Sequence, residues 1–426
     1  MGLWLATWLF GCGASATELR IDADVQRGAY DAASRTYQSE GHERSTLRAF
    51  SEAILRTDAE QADPARQRLA FSELSLLGNR ARPLLDAIAK RERSDVRADA
   101  IRARALAQLS ALGDGAARSK LRALADDPDP EVADLAYSAL DREHDAQRLR
   151  EALASPRPAR RLAAVRSRKP EGDQRSDRDL AELSEISRVD PQPSVRAAAL
   201  FALEPYGASA LPAFERAVRD DSDESVRISA IEAFARALPD RAEALLDQKL
   251  GGSTSAESLA AALALLRIKS SQRTRALDAI ANGLTSGDPS LRARTALLLR
   301  TVPESDRDLQ ALRAQLDVER IDEVKLALAL TLGTDDPLAR ATLRTLARGP
   351  TLTAAEAAYE LARLGDADSF AKLAALRTSP ASTTRTSVAR LLGRGLAQPN
   401  AVTDLLSDRE ASVRDAAAGA ILATLL

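Results

Sequence analysis

The chain has 426 residues with Lys+Arg 60 against Asp+Glu 62, a near balance that argues against a dedicated nucleic-acid binder, which would carry a marked basic excess. Aromatic residues are 3% of the total, too few for a conventional aromatic-rich core. A single cysteine rules out disulfides within the chain.

Residues 1–12 read MGLWLATWLFGC. The apolar run Leu3 to Gly11 is too short to span a bilayer but suits the h-region of an export signal. Leu9-Phe10-Gly11-Cys12 resembles the bacterial lipobox, and Cys12 is the one thiol in the chain. The resemblance implies cleavage before Cys12, lipidation of its sulfur and membrane attachment through the acylated residue. Gly13, which is not Asp, then implies an outer-membrane lipoprotein of the cell envelope. The other reading is an idle apolar N-terminus. N-myristoylation does not fit, because Ala6 stands where Ser or Thr is needed. Residues 13–21 would form a short tether. Residues 22–60 read as a helical hairpin, Val25 to Tyr37 and Ser45 to Thr57, turning at Gly41-His42 and capping the first layer of a repeat array.

From residue 63 to 426 one pattern recurs. Its clearest copy is RDDSDESVRISAIEAFARAL, Arg219 to Leu238, where an acidic turn supplies an N-cap and Val226, Ala230 and Phe234 form an apolar stripe at i, i+4 and i+8. Equivalent anchors run from Val96 through Val132, Ala159, Val195 and Ser258 to Val413, with a mean period of about 32 residues. Four residues after the anchor stands Ala in eight of eleven copies, and from Leu203 onward the eighth residue is always apolar. A degenerate earlier copy, DPARQRLAFSEL, begins at Asp63. These residues resemble the HEAT-repeat family, in particular the short bacterial repeat also found in phycobilisome lyases. The resemblance rests on the Asp-Pro-x-Val-Arg-x-x-Ala-x-x-Ala-Leu pattern at Asp129 to Val132, Gln192 to Leu203 and Asp288 to Leu299. It implies an all-α, right-handed α-solenoid of about 11–12 HEAT-like hairpins. The polar stretch between Val165 and Asp179 and the Gly251-Gly252 run read as joints between layers.

Little in the sequence suits catalysis. The histidines His42 and His144 lie far apart in sequence, so no Cys/His metal cluster can be drawn. The acidic pairs Asp126-Asp127, Asp220-Asp221 and Asp335-Asp336 fall at turns and read as helix caps. Two basic features stand out. One is the residue after the anchor, Arg97, Arg196, Arg227, Arg292, Arg385 and Arg414, with Lys325 in the same slot. It fits a structural ladder against the acids of neighbouring repeats, such as Asp190, Asp223, Asp288 and Asp408, or a row of guanidiniums for a ligand. The other is the cluster Arg157, Arg160, Arg161, Arg166, Arg168 and Lys169, with no acid between Ser155 and Pro170, which fits a partner-binding patch or a solvated face.

The expectation is a lipid-anchored envelope scaffold that binds protein partners through the concave face of the array, without catalysis, cofactor, metal or nucleic acid. The alternative is an enzyme of the bilin-lyase type or another cytoplasmic HEAT-repeat protein, a helical-repeat DNA glycosylase included.

Overall fold

A computed structural model describes residues 14–41, 43–91, 97–168, 176–251, 255–304 and 307–426. Every regular element among them is helical, and there is no strand. In chain order the helices begin with α1 (Ala16–Gln26), α2 (Tyr30–Glu40), α3 (Arg44–Ala59), α4 (Pro64–Leu77), α5 (Arg82–Lys90), α6 (Ala98–Ala111), α7 (Gly115–Arg122) and α8 (Pro130–Tyr137). They continue with α9 (Arg142–Leu153), α10 (Pro158–Arg166), α11 (Asp177–Val189), α12 (Pro193–Leu203), α13 (Leu211–Asp220), α14 (Glu224–Ala237), α15 (Pro239–Leu250) and α16 (Ala256–Arg267). The remainder are α17 (Arg273–Leu284), α18 (Pro289–Leu299), α19 (Leu309–Val318), α20 (Asp322–Leu332), α21 (Pro337–Leu346), α22 (Leu352–Ala362), α23 (Ala367–Ala375), α24 (Ser382–Arg390) and α25 (Ala411–Leu425). A π turn, Leu391–Gly395, and a 3-10 segment, Pro399–Ser407, stand between the last two.

The helices gather into two compact units, one of the described residues up to Ala136 together with Leu343–Leu426, the other of Tyr137–Thr342. In the second unit the anchor-bearing helices stack in order, α10 on α12, α12 on α14, α14 on α16, α16 on α18 and α18 on α20. Each is started by local chemistry. The side chains of Asp223 and Asp288 accept hydrogen bonds from the Ser225 and Ser290 amides, and Pro193 and Pro289 take first-turn positions where no donor is needed. The stripe is buried most completely in α14 and α12: Val226, Ala230 and Phe234 are all fully buried, as are Val195, Ala199 and Leu203. The alanine mid-stripe allows close approach and the large residue fills the gap between layers. This is the all-α helical-repeat fold that the pattern implies.

The repeat departs from the expected register in three places. In α10 the buried small residue is Ala164, while Ala163 is half-buried, so that copy is shifted by one from an anchor at Ala159. In α16 and α20 the buried residues are Leu265 and Thr331, whereas Leu266 and Leu332 are half-buried.

In the first unit, α1 starts earlier than the tether assigned to residues 13–21 allows. Ser15 and Glu18 form a reciprocal capping box that fixes a helix from Ala16. The expected hairpin over 22–60 is a set of three helices instead. The chain turns at Gly28, with φ 73, a left-handed conformation that suits glycine, and Val25 belongs to α1 while Tyr37 belongs to α2. Tyr37 packs on Phe50 of α3 with ring centroids 6.3 Å apart. Helix α25 packs against α3 and α4 as well as α24. Asp415 to Leu422 are consequently all buried. Cys12 and the rest of the apolar leader, His42, Val96, and most of the stretch between Val165 and Asp179 lie outside the described residues.

Candidate functional site

The arginine after the anchor makes one repeated arrangement. Arg196 donates from Nη1 to the Asp190 carbonyl six residues back (2.8 Å), and from Nε and Nη2 to the Asp221 carboxylate (2.9 and 2.7 Å). Arg292 does the same with the Ser286 carbonyl and Glu319, and Arg385 with the Ser379 carbonyl and Asp408. Arg227 bonds the Asp221 carbonyl and Glu257, and Arg97 reaches Glu131 at 2.9 Å. The planar fork of arginine serves this role, because it holds a carboxylate on one edge and a carbonyl on the other. With Nε, Nη1 and Nη2 all committed internally in Arg196, Arg292 and Arg385, these positions hold repeats together and offer no open fork to a ligand row.

The acids differ from those the sequence suggests. Asp190 and Asp408 are rungs, but Asp223 and Asp288 serve as helix N-caps, and Asp221, Glu257 and Glu319 take the rungs instead. Lys325 stands outside the ladder, 3.4 Å from Asp322 of its own helix. Of the acidic pairs, Asp336 both caps α21 through the Leu338 and Ala339 amides and pairs with Arg313.

The basic cluster does not form one patch. Arg161 is a ladder residue, forked on Asp190 at 2.8 and 3.0 Å with Nη1 on the Ser155 carbonyl. Arg168 is buried and pairs with Asp179 and Glu182. Arg160 lies over the Tyr137 ring, 4.9 Å from its centroid. Arg157 is half-buried and Arg166 is exposed, while Lys169 lies outside the described residues. The acids that neutralise Arg161 and Arg168 come from α11 and the turn after it, beyond the window in which the sequence shows only bases.

The rung at Arg292 sets a pH dependence. Hydrogen bonds from Arg292, opposed in part by burial and aided by the Ile321 and Arg320 amides, lower the Glu319 carboxyl to about 2. A depressed carboxyl stabilises the fold above its unfolded-state pKa and loses that contribution as pH falls through the folded value. Between roughly pH 4.5 and pH 2 the Glu319 rung is therefore expected to lose roughly 3 kcal/mol. Glu319→Gln should lower stability at neutral pH and flatten the acid limb of a urea-midpoint titration over that range. An unchanged acid limb in the variant would show that the rung is not titrating there.

The largest concentration of buried charge lies elsewhere, where α25 meets α3 and α4. Asp58 (0% exposed), Glu73 (1%), Arg414 (3%) and Asp415 (1%) are enclosed together. Arg414 keeps the ladder bond to the carbonyl six residues back, Asp408, at 2.8 Å, but its acid is Asp58, at 3.5 Å. Its guanidinium lies over the Tyr30 ring at 3.9 Å, and the Tyr30 hydroxyl donates to Asp58 at 3.2 Å. Glu73 receives Arg390 at 2.9 Å, with Arg394 3.6 Å away, and sits so close to α25 that a methyl at Gly419 would fall 2.7 Å from its carboxylate. Arg80 bonds the Ala423 carbonyl at the end of α25. Nothing in the sequence pattern points to this junction as a meeting of the two ends of the chain. The position two residues after the anchor gives only a weak signal: most copies are apolar there, as at Ala197, Ile228 and Leu326, but acids stand there twice, Asp134 and Asp415.

Among the described residues no group of three His, Cys, Asp or Glu is placed to hold a metal ion, and no helix is long and apolar enough to cross a membrane. His144 is bound to Asp141 at 2.9 Å. A groove of about 570 Å³ between α5, α6 and α7 is lined by Leu106, Leu109, Leu124, Asp86, Lys90 and Lys120 among others.

No family model matches the sequence, and no curated protein is similar to it. Among solved structures it is similar to one described as "Structure of the Pds5-Scc1 complex and implications for cohesin function", at 13% identity over 91% of this chain and 76% of that chain, with a TM-score of 0.24. A likeness at that level bears on neither partner nor role.

Proposed function

We propose that the protein is a lipid-anchored scaffold of a bacterial cell envelope, attached through acylated Cys12 and binding protein partners on the exposed faces of its helical repeats. The observation that carries the address is the run Leu9-Phe10-Gly11-Cys12, which places the chain's single thiol at the modification point of a lipobox after an apolar leader. The scaffold part rests on the fold. Its buried side chains go into layer packing, and its ladder arginines and acids into one another, which leaves the exposed faces of successive helices as the surface on offer. Several acyl chains would hold it firmly, since each buried methylene contributes about 0.8 kcal/mol.

The test is mass spectrometry of the N-terminal peptide from the native host, with membrane fractionation of wild type and Cys12→Ala. The proposal expects a di- or triacylated Cys12 as the mature N-terminus and release of the Cys12→Ala protein from the membrane fraction. An intact Met1 with a free thiol, or a Cys12→Ala protein that fractionates like wild type, would remove the anchor.

A further inference from the structure

We propose that Asp58 and Asp415 share a single proton, and that this proton latches α25 onto α3 and α4, so that the two ends of the first unit are held together by a protonation-dependent contact.

Charged and polar groups reach the junction from every element around it. From α25 itself come Arg414 and Asp415; from α3, Asp58; from α4, Glu73; from α24 and the π turn, Arg390 and Arg394; and from α2, Tyr30. Other ionic groups on these elements have other partners: Arg56 of α3 pairs with Asp22, Arg80 bonds the Ala423 carbonyl at the end of α25, Asp404 of the 3-10 segment pairs with Arg377, and Asp408 before α25 pairs with Arg385. Arg390 and Arg394 lie on Glu73, and Arg414 lies on Asp58 with help from the Tyr30 hydroxyl. Among the described residues Asp415 has no base of its own, and neither of its carboxyl oxygens accepts a hydrogen bond from a protein donor.

A buried carboxylate in that position is an unpaired charge beside other carboxylates, a costly arrangement that protonation relieves. Two ionised carboxylates cannot bond to each other, whereas a protonated Asp415 can donate its O–H to Asp58. Burial first, then the neighbouring Asp58, pushes the Asp415 carboxyl well above the usual carboxylate range, with Arg414 opposing and Glu73 adding to the shift. A proton held at Asp415 in this way would lie between the two carboxyl groups.

The sign follows from linkage. With α25 released, Asp415 is in water and ionises at an ordinary carboxylate pKa; with α25 docked it holds the proton to much higher pH. The docked state therefore has its full stability below the ordinary carboxylate value and loses it as pH rises through the raised one. Release would uncover the Ala416–Leu422 face of α25 and the opposing faces of α3 and α4. This is an order-to-disorder element biased by one proton.

The experiment is hydrogen exchange with mass spectrometry on the full chain, at intervals from about pH 5 to about pH 9, with protection corrected for the intrinsic exchange rate. In wild type, protection of the α25 amides should fall about tenfold or more over that range, relative to α14. Asp415→Asn, which keeps the shape and the donor but cannot ionise, should give high protection that does not change with pH. Asp58→Asn provides an independent check, since it removes the neighbouring carboxylate and should move the loss of protection to lower pH, with burial still holding it above the ordinary carboxylate range. A wild-type profile without pH dependence, an Asp415→Asn profile that falls like wild type, or an Asp58→Asn transition at the wild-type pH would each overturn the latch.

Discussion

Arg196→Ala is expected to destabilise the second unit by about 3–5 kcal/mol, because it breaks a buried ion pair from one side. The side chains of Arg196 and Asp221 are 9% and 7% exposed. Removing the guanidinium leaves Asp221 with only the Asp223 amide at 3.0 Å and strands the Asp190 carbonyl that Nη1 had satisfied. A lysine at the same place keeps the charge but cannot fork a carboxylate and reach a carbonyl together, so Arg196→Lys should recover only part of the loss. The double variant Arg196→Met with Asp221→Asn removes both charges and should be less destabilised than Arg196→Ala alone, which separates the cost of a stranded charge from the worth of the pair. Exposed Arg166 gives the control, with an expected change within about 0.5 kcal/mol on substitution by alanine. Urea midpoints read the global effect, and hydrogen exchange over α12 and α14 reads the local one, since repeats need not unfold together. An Arg196→Ala midpoint equal to that of the Arg166 control would mean that the rung carries no stability.

What the sequence makes legible and what it hides divide along sequence separation. The stripe at Val226, Ala230 and Phe234 is visible because helical geometry ties residues four apart to one face, and the same grammar repeats often enough to be counted. The ladder arginines are visible for the same reason, as a fixed offset from the anchor. Their acids are less so. Asp223 lies as near to the anchor as a rung should, yet it caps a helix, and the rung is Asp221, because the choice depends on how far the turn carries each carboxylate toward the preceding layer. The slip at α10 is of the same kind: Ala163 and Ala164 are equally plausible in the pattern, and only the fork of Arg161 on Asp190 selects the second. The terminal junction was least accessible. Arg390 meets Glu73 across 317 positions and Arg414 meets Asp58 across 356, separations about which no local period carries information. Its only trace is an acid, Asp415, at a position where most copies are apolar but Asp134 is an acid as well, so the pattern neither singles it out nor shows its partner. The same ignorance extends to what covers α25. The helices that cover it come from the opposite end of the chain.

Phe234→Ala is expected to cost about 3–5 kcal/mol, the range for removing a fully buried aromatic ring. Phe234 closes the stripe of α14 and Phe214 comes from α13, the partner helix in its hairpin; both are fully buried. Their rings stack with centroids 5.7 Å apart and an interplanar angle of 13°. In a chain with so few aromatics, this pair fills volume that alanines elsewhere in the stack cannot. The truncation removes ring burial and leaves a cavity between α13 and α14 that backbone relaxation closes only in part. Phe234→Leu keeps most of the volume and should lose clearly less. Because the rings touch, Phe214→Ala and Phe234→Ala should not add: the double variant should fall short of the sum by about 0.5–1.5 kcal/mol, the stacking contribution beyond area alone. The readout is a four-corner set of urea midpoints with exchange over α13 and α14. Strict additivity would mean that the rings act as independent fillers, and a Phe234→Ala loss under about 1 kcal/mol would mean that the site collapses to fill the space, contrary to a close-packed stack.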